Sequence, residues 1–180
     1  MWIVSQIIGV VALIVVIIAF QKKRRLSTLL LSALANGVSV VMHLLLTNWV
    51  MAGFAAAVSI RALVYAFIEP YRLANSLPRW LDYIVLVAML AVNGIVFIFV
   101  REVFWFDYVL LGGTMFATFG GWRRGIHWIR FGNIVLSAFI IVNAIMFVNV
   151  LSIITESFII LAILAFYVRI ARAKRNISIE

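Results

Sequence analysis

Cysteine is absent from the 180 residues, so no disulfide framework and no thiolate metal site can form. Proline occurs twice and acidic side chains six times. Charge of either sign makes up 12% of the chain, where soluble domains carry about 25%. So little charge cannot cover the 67% that is hydrophobic with a hydrated surface, and so apolar a chain is not disordered. What remains is long apolar runs, a mean hydropathy of +1.20, and a net charge of +9. These describe a helical membrane protein. At about 20 residues per crossing, the length allows roughly seven or eight spans and no soluble domain.

Polar punctuation divides the chain into seven apolar stretches, each helical because backbone in lipid must satisfy itself. They run Trp2–Phe20, Leu26–Thr47, Trp49–Ile68, Trp80–Val100, Phe104–Phe119, Ile126–Val148 and Asn149–Phe166. A turn at Asn48 parts the second from the third. A polar loop from Glu69 to Arg79, with Pro70 and Pro78 as helix breakers, follows the third. The fifth is the weakest: it is short, carries Asp107 and holds Gly112-Gly113. The first is expected to stay in place rather than act as a cleaved signal, because its positive charge follows the apolar run.

The 15 basic residues decide the topology. Lys22, Lys23, Arg24 and Arg25 form one group, and Arg72 with Arg79 a second. Arg123, Arg124 and Arg130 form a third, and Arg169, Arg172, Lys174 and Arg175 a fourth. With seven spans all 13 fall on one side, only Arg101 lies opposite, and Arg61 sits within a span. The positive-inside rule then puts the N-terminus out and the C-terminus in. The clusters therefore mark topology and contact with anionic lipid, not nucleic acid.

A shift of about 100 residues lays one half on the other. Phe20 with Arg24-Arg25 falls on Phe119 with Arg123-Arg124, His43 on Asn143, and Thr47-Asn48 on Val148-Asn149. Residues 2–68 and 104–166 form two three-helix repeats, 80–100 a linker helix, and 169–180 a cytoplasmic tail. A single linker gives both repeats the same orientation, so they are parallel. This 3+1+3 plan is similar to that of the sugar-transporting SWEET proteins, without the proline-glutamine dipeptide of the related PQ-loop proteins. In its residues the chain more closely resembles the bacterial inner-membrane proteins of the YgjV family. Five features carry the likeness: Phe20 to Arg25, His43, Ser59-Ile60-Arg61, the arginine-rich entry to span 6, and Glu156. The likeness extends from Gln6 to Arg172 and departs at Asn143, where a histidine is expected. It implies this fold and a place in the bacterial inner membrane, and brings no activity with it.

Polar groups inside spans are costly and worth naming. Ser32, Asn36, Ser39 and His43 share one face of span 2. Asn93 lies near mid-depth in span 4, Asn143 in span 6, Arg61 in span 3 and Glu156 in span 7. At about 1.5 Å per residue, Arg61 and Glu156 differ in depth by roughly 8 Å, within reach of an arginine stem. Two readings stay open. Asn36, His43, Arg61, Asn93, Asn143 and Glu156 either line a solute cavity between the repeats or serve as interhelical glue, with Arg61 snorkelling to the headgroups. Small residues Ala52, Gly53, Ala55, Ala56 and Ala57 in span 3 favour close packing. Trp49, Trp80, Trp105, Tyr108 and Trp128 fall at span ends as interfacial anchors.

No nucleophile–base set, phosphate loop or metal-ligand spacing is present, so neither an enzyme nor a cofactor is expected. The leading reading is a transporter of a small polar solute, seated in the bilayer and rocking two three-helix units about a midplane cavity. The alternative is a membrane interaction or scaffold subunit, and a lipid- or quinone-handling protein is a third. Whether copies associate into a homo-oligomer stays open.

Overall fold

In a computed structural model that describes residues 2–47, 49–74, 76–98, 105–146 and 150–177, the chain is all helix. Seven helices follow in order: α1 Trp2–Gln21, α2 Arg25–Leu45, α3 Trp49–Leu73, α4 Arg79–Ile98, α5 Trp105–Trp122, α6 Ile126–Met146 and α7 Val150–Ile177. Six of them, all but α5, are long and apolar enough to cross a membrane. The chain is thus a multi-pass membrane protein. The turns expected at Asn48 and Val148-Asn149, and the pair Arg101-Glu102, lie outside the described residues.

The helix boundaries follow the expected spans closely except at the C-terminal ends of α3 and α7. In α3 the helix overruns its span by five residues. Its last turn continues through Glu69-Pro70 to Leu73, where a loop is expected. Proline removes one donor from the helix, yet its own carbonyl still accepts from Ala74 at 3.0 Å. Tertiary pairs hold this turn: Glu69 faces Arg25 at 3.4 Å, and Arg72 binds Asp82. Asp82, in the first turn of α4, also meets that helix's positive end. The C-terminal helix likewise runs on past Arg169 to residue 177.

Sequence neighbours pack together: α1 on α2, α2 on α3, α3 on α4, α4 on α5, α5 on α6 and α6 on α7. Two further seams, α1 with α7 and α3 with α5, join the halves. Ring pairs fix the direction of α5 against α4. Tyr83 meets Trp122 at 5.3 Å and Phe97 meets Tyr108 at 5.1 Å, so the two run antiparallel along their length. Across the other seam Arg61 reaches Thr114, Tyr65 reaches Thr118 and Arg72 reaches the Trp122 carbonyl. Those residues ascend together, so α3 and α5 are parallel.

Side chains sort by helical face. On α1, Ile3, Ile7, Val10, Ile14 and Ile18 are exposed, whereas Ser5, Ala12 and Ala19 are buried at a spacing of seven. In water such an apolar belt would be untenable; facing lipid it needs no cover. The inward faces use small residues. Ala52, Ala55 and Ala57 are buried in α3, and a Cβ on Gly120 would lie 2.6 Å from the Trp128 carbonyl oxygen of α6. Backbones therefore approach closely, as packing between membrane helices requires. The core centres on Phe20, Leu29, Tyr65, Ile129 and Ile163, which draws five helices together.

Candidate functional site

The sequence of α3 places Arg61 and Tyr65 one turn apart on one face, and α5 places Thr114 and Thr118 at the same spacing. Parallel packing sets these faces opposite each other. Arg61 Nη1 donates to the Thr114 carbonyl at 3.1 Å and to Thr118 Oγ1 at 2.8 Å. Asn93 Nδ2, from α4, donates to the same hydroxyl at 3.0 Å and to the Met89 carbonyl at 2.8 Å. Thr118 Oγ1 donates in turn to the Thr114 carbonyl at 2.7 Å. One donor and two lone pairs are all a hydroxyl has, so Thr118 is fully used.

This knot is dry. Arg61 is 6% exposed, Asn93 2% and Thr118 0%. Arg61 is the middle residue of a 25-residue helix, roughly 18 Å from either end at 1.5 Å per residue. The guanidinium turns inward onto α5 rather than outward along the lipid-facing surface. Among the described residues its partners are a carbonyl and a hydroxyl, not a carboxylate. A buried charge without a counter-charge costs several kcal/mol or more, of order 3–5 where a partner is removed.

Glu156 lies elsewhere. Its half-buried carboxyl is hydrogen-bonded by Ser137 across the α6–α7 contact. The depth arithmetic allowed an Arg61–Glu156 pair, but the two side chains take different partners on different helices. Asn143 is buried, and among the described residues its Nδ2 lacks an acceptor and Asn93 Oδ1 a donor. In α2, Asn36 Nδ2 donates to the Ser32 carbonyl at 2.7 Å and Ser39 Oγ to the Ala35 carbonyl at 3.1 Å. These two are satisfied within their own helix. His43 is half-buried in the last turn of α2, where a helix terminus favours positive charge. Of the six expected site residues, then, the structure joins Arg61 and Asn93 and leaves Asn36, His43, Asn143 and Glu156 apart from them.

Sequence reasoning missed Thr114, Thr118 and Tyr65. The signal was the repeated i, i+4 spacing in spans 3 and 5, obscured because span 5 had the weakest hydropathy.

It also grouped Arg25, Arg72 and Arg130 with the loop charges, and all three are drawn in. Arg130 is wholly buried in α6, with its Cζ 3.4 Å from the centre of the Phe166 ring. Its Nη2 donates to the Phe20 carbonyl at 3.1 Å and the Lys22 carbonyl at 2.7 Å, at the C-terminal end of α1. Arg25 Nη2 donates to the Gly121 carbonyl at 2.6 Å and Arg72 Nη1 to the Trp122 carbonyl at 3.0 Å, at the end of α5. The last carbonyls of a helix have no partner within it and carry its negative dipole end. The first half thus supplies two arginines that cap α5, and the second supplies Arg130 to cap α1. Comparison of the chain with protein-family models, with curated proteins and with solved structures finds no match.

Proposed function

We propose that this chain is a seven-span transporter of a small polar solute bearing negative charge, built from two parallel three-helix units. The carrying observation is Arg61: a desolvated guanidinium at mid-helix, on the seam between α3 and α5, without a carboxylate partner among the described residues. An ionisable group held at that depth is costly and marks a solute or ion path by default. Asn93 Oδ1 beside it has hydrogen-bonding capacity unspent.

The topology reading is supported by the packing. Helix α5 lies antiparallel to α4 along its length, and its 18 residues extend about 27 Å, close to the thickness of the hydrocarbon core. Contacts among Arg25, Glu69, Gly121, Trp122, Arg130 and Lys22 gather three basic loops at one end of the bundle. The parallel-repeat reading is supported by the seams: exchanging the halves turns the α1–α7 contact into α5–α3. On this reading the arginine caps form the closed gate at the basic end, which lies in the cytoplasm of a bacterial cell. Rocking the units apart breaks Arg25–Gly121, Arg72–Trp122 and Arg130–Phe20 together. Arg61 then meets the solute from that side.

The scaffold reading is favoured by one observation, the full saturation of the Thr118 hydroxyl, which is what interhelical glue looks like. Proteoliposome counterflow with a broad set of carboxylate and phosphate metabolites separates the two. Transport that Arg61→Gln abolishes, with the variant monodisperse and helical, supports the proposal. No flux of any metabolite through folded wild-type protein overturns it.

A further inference from the structure

The basic end holds a pocket of about 390 Å³ lined by Lys23, Arg25, Glu69, Arg72, Arg124 and the turn Gly125-Ile126. It is composite: the α1–α2 loop, the end of α3 and the α5–α6 loop each supply a wall. Its charge can be counted. Arg25 pairs with Glu69 and Arg72 with Asp82, which leaves Lys23 and Arg124 as surplus cations on the rim. Both are exposed. The Arg25 side chain is 9% exposed and keeps its Nε, a buried donor, without an acceptor among the described residues. At the remaining wall, Gly125 takes φ +119° immediately before the 21-residue helix α6. The first N–H groups of a helix have no acceptor within it.

We infer that this pocket binds a phosphate group. Two surplus positive charges match a phosphate monoester dianion, and guanidinium, ammonium and free backbone N–H donors are the groups that recognise its oxygens. A carboxylate would take up half of that charge. The pocket lies at the loops, level with the headgroups, so the phosphate comes either from an anionic lipid or from a soluble ester. This site is separate from the Arg61 knot and stands whether or not the protein transports anything.

The test uses the full chain in phosphate-free neutral detergent, titrated calorimetrically with glycerol phosphate. A parallel arm measures retention of phosphatidic acid, the lipid phosphate monoester, against phosphatidylcholine by native mass spectrometry. The variant is Lys23→Gln/Arg124→Gln, whose side chains lie at the surface, with Arg79→Gln as an exposed control on the same end. The double variant should bind about tenfold more weakly, and the control within about twofold of wild type. Binding in the first arm alone identifies a soluble ester, and in the second alone a lipid headgroup; either supports the site. Absence of binding in both arms, or equal loss in the control, overturns it. Should the double variant fail to stay monodisperse, the single Arg124→Gln change carries the same comparison.

Discussion

Replacing Thr118 with valine removes one oxygen from the middle of the bundle and almost nothing else. The two side chains have the same shape and similar helix propensity, and both are branched at Cβ. What disappears is the acceptor shared by Arg61 at 2.8 Å and Asn93 at 3.0 Å. Each donor retains one partner, the Thr114 carbonyl for Arg61 and the Met89 carbonyl for Asn93. The charged bond is worth about 1.5–3 kcal/mol. The neutral bond is worth about 0.6 kcal/mol, the average between membrane helices. Thr118→Val should therefore destabilise the protein by about 2–3.5 kcal/mol. Thr118→Ser keeps the hydroxyl and should cost about 1 kcal/mol for the lost methyl. Reversible unfolding in mixed micelles, followed by far-ultraviolet circular dichroism over a dodecyl sulfate titration, reads both. Combining the valine change with Arg61→Met in a double-mutant cycle should recover most of the Arg61 share as coupling. A valine variant within about 0.5 kcal/mol of the serine variant would refute the reasoning. The hydroxyl would then contribute nothing that the backbone carbonyls do not already provide.

Three further outcomes follow from the packing. Gly120→Ala should destabilise by about 2 kcal/mol in the same titration, since its Cβ would meet the Trp128 carbonyl at 2.6 Å. Gly112→Ala, with nothing within 4 Å, should be neutral or slightly stabilising. Arg130→Lys should lower stability by about 2–3 kcal/mol, because an ammonium cannot stack on Phe166 as the guanidinium does while reaching both the Phe20 and Lys22 carbonyls; a lysine variant unfolding with wild type would show that the stack contributes nothing. Because no native cysteine competes, single cysteines at Lys23, Ser76 and Arg124 can be labelled with an impermeant maleimide in oriented vesicles. All three should react from one side, and a reversed Arg124 would break the seven-span reading.

Most helix boundaries were legible because hydropathy and interfacial aromatics act locally. The expected span Trp49–Ile68 stopped five residues short of the helix end at Leu73 for a non-local reason: Glu69 and Arg72 are held by Arg25 and Asp82. The Arg61 site was half legible. Its cost inside a span marked it, and Asn93, named beside it, shares its Thr118 acceptor. Depth along the normal says nothing about azimuth, however, so Glu156 at a compatible depth was an equally good partner on paper. Only the α3–α5 seam turned Arg61 toward Thr114 and Thr118, and only the α6–α7 contact gave Glu156 to Ser137.

The sequence by itself determined that this is a multi-pass helical membrane protein, because 67% apolar residues and 12% charge admit no hydrated fold. It also collected the basic residues into groups between spans, since each charge near a span end is read separately. Tertiary structure alone decided what those charges do. Lys23 and Arg124 stay at the surface, whereas Arg25, Arg72 and Arg130 turn in to cap the last carbonyls of α1 and α5. A helix end offers its carbonyls to any donor within a few ångströms, and which arginine arrives depends on helix neighbours up to 110 residues away in sequence. No local pattern encodes that choice.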